Sequence, residues 1–180
     1  NGDVSLTAGS ASLSTAGPFT GTNLNTPRGW SGTLYYGTNN VTGGAGYGFF
    51  APGCPGSMGV SHLAANLPQL GSTLNVTFNN LPLSAVIVMT GFSRTMSIFG
   101  PLPLDLTPPP YNVPGCFARV SPDATLFLFG AANSATWNFT IPNDPSLNSL
   151  PLFNQGLVLD PGFNTTGVVL GDAAAMILGT

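Results

Sequence analysis

Hydrophobic and polar residues alternate with a period of two in several short stretches of the chain. In TLNVTFN, Leu74, Val76 and Phe78 share one face, and the Thr and Asn residues between them share the other. ATWNFTI repeats the pattern, with Trp137 and Phe139 on the apolar face. Each alternation predicts a strand with one buried and one solvated face, as in an antiparallel sandwich.

The candidate strands are short and are separated by turns rich in Gly, Pro, Asn and Asp, which favours a sandwich over a helical fold. AVIVM and LFLF are apolar on both faces, so each is predicted to be a central strand or a strand whose outer face meets a neighbour. The best helical candidate is 60–66, about two turns. The predicted strands are 33–36, 47–50, 73–79, 85–91, 95–99, 117–120, 125–129, 136–141, 155–160, 167–170 and 174–178.

We therefore predict an all-β fold, an antiparallel β-sandwich of the jelly-roll or immunoglobulin-like type, with an extended N-terminal strand or arm. The arm is residues 1–16, and 17–180 form a single domain. Asn1 is expected to be a mature terminus left by removal of a signal peptide. The apolar side chains of the arm change face after Gly9, a natural bulge or bend. They are Val4, Leu6, Ala8, Ala11 and Leu13.

The arm has two candidate partners. It is expected to pair either with its own sandwich, as an edge strand, or with a groove on a neighbouring copy, as in donor-strand complementation. A head-to-tail contact of the second kind does not close on itself and propagates as a filament.

Composition points to a chain that folds and has few charges. Of its 180 residues 43% are hydrophobic and 5% are charged, with neither Lys nor Glu and a net charge of −3. A neutral polar surface changes little with pH or salt and keeps copies only weakly apart, which suits an extracellular protein that associates. Three scattered arginines make no patch for nucleic acid, and the longest aliphatic run, AVIVM, is too short to span a membrane.

The two cysteines lie in similar Pro-Gly turns, Cys54 in PGCPGS and Cys116 in VPGC. One pair has a single connectivity, so the sequence predicts a Cys54–Cys116 disulfide. Two buried free thiols are the alternative.

The same two turns belong to a longer series: APGCPGS, LPQLGSTLNVTFNNLP, LPLDL, PGC, SPDATLFLFG, IPNDPSLNSLPLFNQGLVLDP and GVVLGDAAAMILG. This series resembles a β-sandwich domain that recurs in secreted and cell-surface proteins of environmental bacteria, often near their C-termini. The resemblance covers roughly residues 51–180 and implies export and a sandwich, with no catalytic residues to carry over.

Candidate chemistry is sparse. His62 is the only histidine, and neither Ser57 nor Ser61 lies in a GxSxG elbow, so His62 is expected to be a loop residue making one hydrogen bond. Asp160 and Asn164, four residues apart, could contribute to a weak calcium site, but no DxDxDG array is present. We predict no catalytic residue, metal or cofactor.

Glycoside hydrolysis usually needs two carboxylates with different roles. Asp123, Asp144 and Asp160 lie in turn sequences where Asp commonly bonds its own backbone. Asp105 and Asp172 have no such explanation from the sequence.

Aromatic residues and sequons suggest two ways of meeting sugars. Trp30, Tyr35 and Tyr47 surround a polar loop and form a candidate sugar platform, or else they fill the core. The N-x-S/T sequons are no more numerous than chance gives at this composition, and they are candidate glycosylation sites. They begin at Asn40, Asn75, Asn138 and Asn164.

These features together predict a non-enzymatic structural subunit of an extracellular or cell-surface filament or layer, linked by N-terminal strand exchange. Its partners are expected to be copies of itself. The alternative is a secreted lectin-like module that binds cell-surface glycans.

Overall fold

The computed structural model describes residues 44–180 together with the backbone of Ala11–Ser12 and Leu24–Asn25. The described chain is all β, apart from a short 3-10 turn at Pro145–Leu147. Its strands are β1 (Ala11–Ser12), β2 (Leu24–Asn25), β3 (Gly46–Ala51), β4 (Pro55–Gly56), β5 (Gly59–Val60), β6 (Leu63–Ala65), β7 (Thr73–Phe78), β8 (Ala85–Gly91), β9 (Met96–Ser97), β10 (Gly100–Pro101), β11 (Leu104–Asp105), β12 (Phe117–Ala118), β13 (Ala124–Phe129), β14 (Ala135–Thr140), β15 (Pro151–Leu159) and β16 (Val168–Ile177).

Two antiparallel sheets of unequal width form the sandwich. The wide sheet has the order β13-β8-β15-β16-β3, and the narrow sheet has the order β14-β7-β6. The alternation predicted for β7 is confirmed, because Leu74, Val76 and Phe78 are buried between the sheets. AVIVM forms β8, a central strand flanked on both sides, whereas LFLF belongs to β13 at the edge of the wide sheet.

Two turns carry the chain between the sheets side by side, one from β7 to β8 and the other from β13 to β14. The turns bond each other, since the N–H of Gly130 donates to Ser84 O at 2.7 Å and the N–H of Leu81 donates to Asn133 O at 2.9 Å. Asn133 has a φ of 60°, a left-handed conformation that Asn tolerates well. This pairing of turns leaves β13 and β14 at the same side of the sandwich, each at the edge of its own sheet.

Residues 92–123, hereafter the outer layer, cover the outer face of the wide sheet. The buried side chain of Gln155 bonds the layer directly: its Oε1 accepts the N–H of Arg119 at 2.8 Å, and its Nε2 donates to Phe117 O at 3.1 Å. The predicted disulfide is confirmed, because Cys54 and Cys116 are bonded with 5.1 Å between their Cα atoms. It ties the layer to the segment that follows β3.

Several strands in the structure begin or end at residues other than those predicted from the sequence. The stretches 167–170 and 174–178 belong to one strand, β16, which bulges opposite Gly156 between Leu170 and Ala173. The stretches 95–99 and 117–120 each contain a strand of only two residues, because their ladders are short hairpins within the outer layer.

The best helical candidate, 60–66, is not a helix. The segment begins with the last residue of β5 and includes β6, which pairs with β7 through Leu63 opposite Phe78 and Ala65 opposite Val76. Leu63 and Ala65 pack against the core, so their two-residue spacing fits a strand. The edge of β7 that faces away from β14 supplies the backbone hydrogen-bond partners that this segment would otherwise have found within a helix.

The N-terminal region forms a separate compact unit, residues 1–36, with the remainder at 37–180. This boundary lies further along the chain than the predicted 16/17 division. Within the first unit Ala11 pairs with Asn25 and Ser12 with Leu24, antiparallel. Val4, Leu6, Ala8 and Leu13, and the predicted strand 33–36, lie outside the described residues.

The two sheets approach each other closely at a glycine. A Cβ on Gly156 of β15 would lie 3.0 Å from Val86 and 3.1 Å from the Phe78 ring. We predict that Gly156→Val lowers the free energy of unfolding by about 1–3 kcal/mol, because overpacking forces the sheets apart. Gly46→Val is the matched control, since a Cβ at Gly46 in β3 meets nothing within 4 Å. Equal midpoints for the two variants in urea unfolding would contradict this account.

Candidate functional site

Within residues 44–180, the sandwich is incompletely covered along the side where β13 and β14 are the edge strands. Leu126 lies opposite Val88 and Phe139 lies opposite Leu74, so both point toward the core like their buried partners. Nevertheless Leu126 is 45% exposed and Phe139 is 36% exposed. We call this region the open side and define it by the core-facing residues Leu126, Leu128, Trp137 and Phe139.

The open side is framed by two backbone edges. Among the described residues, no strand pairs with the free side of β13 or of β14. Phe129 on the outer face of β13 is 75% exposed, and its ring meets that of Phe127 edge-to-face at 4.5 Å between centroids. An edge strand with apolar side chains on both faces is a template for another strand.

This site was only partly visible in the sequence. LFLF signalled a strand whose outer face needs cover, but alternation alone predicted Phe139 to be buried. The open side arises from the order of strands in each sheet, which periodicity does not specify.

Of the proposed sugar platform, only Tyr47 is among the described residues. Its ring packs against the main core and its hydroxyl is buried without a hydrogen-bond partner in the described structure. Burial raises the pKa of this hydroxyl above its ordinary value of 10.0. This is the position of a core aromatic, whereas Trp30 and Tyr35 lie outside the described residues.

The sequon asparagines occupy different environments. Asn75 and Asn138 are exposed cross-strand partners on the outer face of the narrow sheet, so their side chains lie next to each other. Asn164 is held inside its turn, because its Nδ2 donates to Val168 O at 2.6 Å and its Oδ1 accepts the N–H of Gly167 at 2.7 Å. A sugar on Asn164 would break this network. Asn40 lies outside the described residues.

Within the described residues, His62 and Asp172 form the one contact between a basic and an acidic side chain. His62 Nδ1 lies 2.7 Å from Asp172 Oδ2, and the His62 side chain is 61% exposed. Asp172 also accepts the N–H of Gly53 at 2.9 Å. Ser57 and Ser61 bond elsewhere, to Asp160 and to Asn79 O, so neither hydroxyl is paired with this imidazole.

The side chains of Asp105, Asp123, Asp144 and Asp160 accept hydrogen bonds from protein groups, some near and some distant in sequence. Asp144 accepts the N–H of Ser146 two residues on, as predicted, and Asp105 does the same with Thr107. The prediction was wrong for Asp160, whose side chain bonds Ser57 in the turn between β4 and β5. Asp123 accepts the hydroxyl of Ser121 within its own turn, but its backbone donor is the distant N–H of Phe92, just after β8.

The suggested calcium ligands are engaged with protein groups. Both oxygens of Asp160 accept from Ser57, through its N–H and its hydroxyl, while Asn164 Oδ1 accepts from its own turn. In the part of the chain that the structure describes, no three His, Cys, Asp or Glu side chains come together as a metal-binding group.

No protein-family model, curated protein or solved structure matches this chain. Within the described residues, no helix has the length and apolar character needed to cross a membrane. The disulfide is the kind of cross-link that persists in oxidising compartments.

Three exposed carboxylates are expected to make the stability of the folded protein depend on pH. Backbone N–H donors lower the pKa values of Asp105, Asp123 and Asp144 below 3.8. A lowered folded-state pKa contributes stability that is present above the unfolded-state value and lost as pH falls through the folded value. We therefore predict that the carboxylates leave the unfolding midpoint unchanged above about pH 5 and lower it only below about pH 4.

Chemical unfolding between pH 2 and pH 7 measures this dependence. The triple variant D105N/D123N/D144N is the control, because Asn keeps an acceptor oxygen but does not titrate in this range. Its midpoint should fall less in acid than that of the natural chain. An equal fall in both would assign the acid sensitivity to other groups.

Proposed function

We propose that the protein is a non-enzymatic structural subunit of an extracellular or cell-surface filament or layer. In this assembly the N-terminal strand of one copy completes the sandwich of the next at the open side. The observation that carries the proposal is the exposure of core-facing side chains on two adjacent edge strands, Leu126 on β13 and Phe139 on β14.

An added strand at the open side would supply both a backbone partner for an edge strand and cover for the exposed apolar side chains. Its backbone would pair with the free edge of β13 or β14, and its apolar side chains would cover Leu126 and Phe139. The arm offers the required pattern, with Val4, Leu6 and Ala8 alternating with polar residues. Small side chains suit insertion into an existing groove, because the core need not repack around them.

The surface chemistry supports association. Neither β13 (ATLFLF) nor β14 (ATWNFT) contains a charged residue, and the whole chain has a net charge of −3. Long-range repulsion between copies is therefore weak. The disulfide supports an exported location for the assembly, since such cross-links persist in oxidising compartments.

The arm is tested by removing it. We predict that deletion of residues 1–15 leaves a folded but monomeric protein, and that excess free peptide of the arm sequence blocks assembly of the full chain. Circular dichroism measures folding, and electron microscopy with sedimentation measures assembly. A truncated protein that cannot fold would place the arm in its own sandwich, and one that assembles normally would exclude the arm as the linker.

The open side is tested separately with a matched pair of lysine substitutions on β14. Phe139→Lys places a charge where the added strand would exclude water, whereas Thr140→Lys places the same charge on the outer face of the same strand. We predict that Phe139→Lys weakens association by more than about 1.4 kcal/mol, tenfold in the association constant, and that Thr140→Lys changes it little. Equal effects on sedimentation would mean that the open side is not the contact.

A further inference from the structure

A cavity of about 170 Å³ lies between the wide sheet and the outer layer. Met89 on β8, Leu157 on β15 and Leu170 on β16 form its floor. Leu104, Ala118 and other apolar side chains of the outer layer form its roof. The cavity lies on the outer face of the wide sheet, so it is separate from the open side, where the exposed residues face the interior of the sandwich.

The lining offers little to a polar molecule. The residues around the cavity are aliphatic or aromatic apart from Ser97 and the hydroxyl of Tyr111. Ser97 Oγ is already engaged, because it donates to Gly100 O at 3.0 Å and accepts the N–H of Phe99 at 3.2 Å. A buried water needs two to four polar partners, so this lining favours an apolar occupant.

The size of the cavity restricts the occupant further. Drug-sized ligands need pockets of about 300–1,000 Å³, whereas an apolar cavity of about 150 Å³ holds benzene or xenon. Well-packed interiors contain few voids larger than a water molecule. A volume of about 170 Å³ therefore fits one six-membered ring or a short branched hydrocarbon.

One wall of the cavity is also part of the molecular surface. Phe99 lines the cavity and is 59% exposed, and it lies in the two-residue turn between β9 and β10. The cavity is partly open to solvent, and the exposed ring at its wall leaves a small molecule a route that does not disturb the sheet.

We propose that this cavity is a binding site for a small apolar molecule, a single aromatic ring or short hydrocarbon without charged groups, which enters past Phe99. The site is independent of the proposed assembly, because the outer layer that forms it is held within one chain by Gln155 and the Cys54–Cys116 disulfide.

The four methionines provide an internal test with benzene as the probe. Met89 lines the cavity, Met176 is buried in the sandwich core, and Met58 and Met96 are exposed. In methyl-labelled full-length protein, benzene should shift the Met89 signal by its ring current and saturate, while the Met176 and Met58 signals stay in place. Solution or magic-angle-spinning NMR makes the measurement possible for free or assembled protein. No shift at Met89, or shifts only at Met58 and Met96, would overturn the proposal.

A cavity-filling variant gives a second readout. Benzene should raise the thermal midpoint of the natural protein, because a ligand that binds only the folded state stabilises it. Ala118→Leu fills the cavity and should abolish this rise, whereas Ala64→Leu, on an exposed position of β6, should retain it. An equal rise in both variants would assign the binding to another surface. If Ala118→Leu does not fold, the Met89 signal of the natural protein still decides.

Discussion

The close contact between Phe78 and Gly156 determines how the rest of the molecule is arranged. Phe78 lies at the end of β7, the middle strand of the narrow sheet, and its ring occupies the space that a side chain on Gly156 would take. This contact places β7 over the centre of the wide sheet. A sheet of three strands cannot cover five completely, so some apolar surface must be covered in another way. The position of β7 leaves β14 and β13 together at one side, where Leu126 and Phe139 remain partly exposed.

Apolar side chains remain at two places outside the contact between the sheets, on the outer face of the wide sheet and at the open side. The two places differ in how they are covered. On the outer face of the wide sheet, residues 92–123 provide a layer from the same chain. That layer contains little regular structure, so it depends on fixed points: the side chain of Gln155, which bonds the backbone at Phe117 and Arg119, and the disulfide at Cys116. Removing the amide of Gln155 would leave the N–H of Arg119 and the carbonyls of Phe117 and Gly171, which are partly or fully buried, without this partner. The open side has no comparable cover among the described residues, and this contrast is the basis for the proposal that it takes part in assembly.

The sequence predicted what depends on local pattern and missed what depends on strand order. The two-residue period placed β7 and β14, and short apolar runs between turns placed β8 and β13, all within one residue of their observed bounds. The matching Pro-Gly turns predicted the Cys54–Cys116 disulfide. The same rule could not show that Phe139 stays partly exposed, because periodicity assigns a face and not the width of the opposite sheet. The pattern did not identify β6 as a strand and left its segment as the best helical candidate, because three residues are too few to display a period. The sequence predicted that the Asp160 side chain would bond the backbone of its own turn, but its hydrogen-bond partner, Ser57, is more than one hundred residues away.

An apolar edge without charge is an unusual combination for a protein that stays monomeric. Natural edge strands are commonly protected by Lys, by Pro or by inward-pointing charges, and this chain has no Lys at all and no charged residue or Pro within β13 or β14. Repulsion therefore cannot protect the open side, and at a net charge of −3 it also cannot keep whole copies apart. A strand added from a neighbour removes the free backbone edge and covers Leu126 and Phe139 in the same step. In the proposed assembly each open side would be occupied by a segment whose pattern matches it, and this would keep the sandwich from associating indiscriminately.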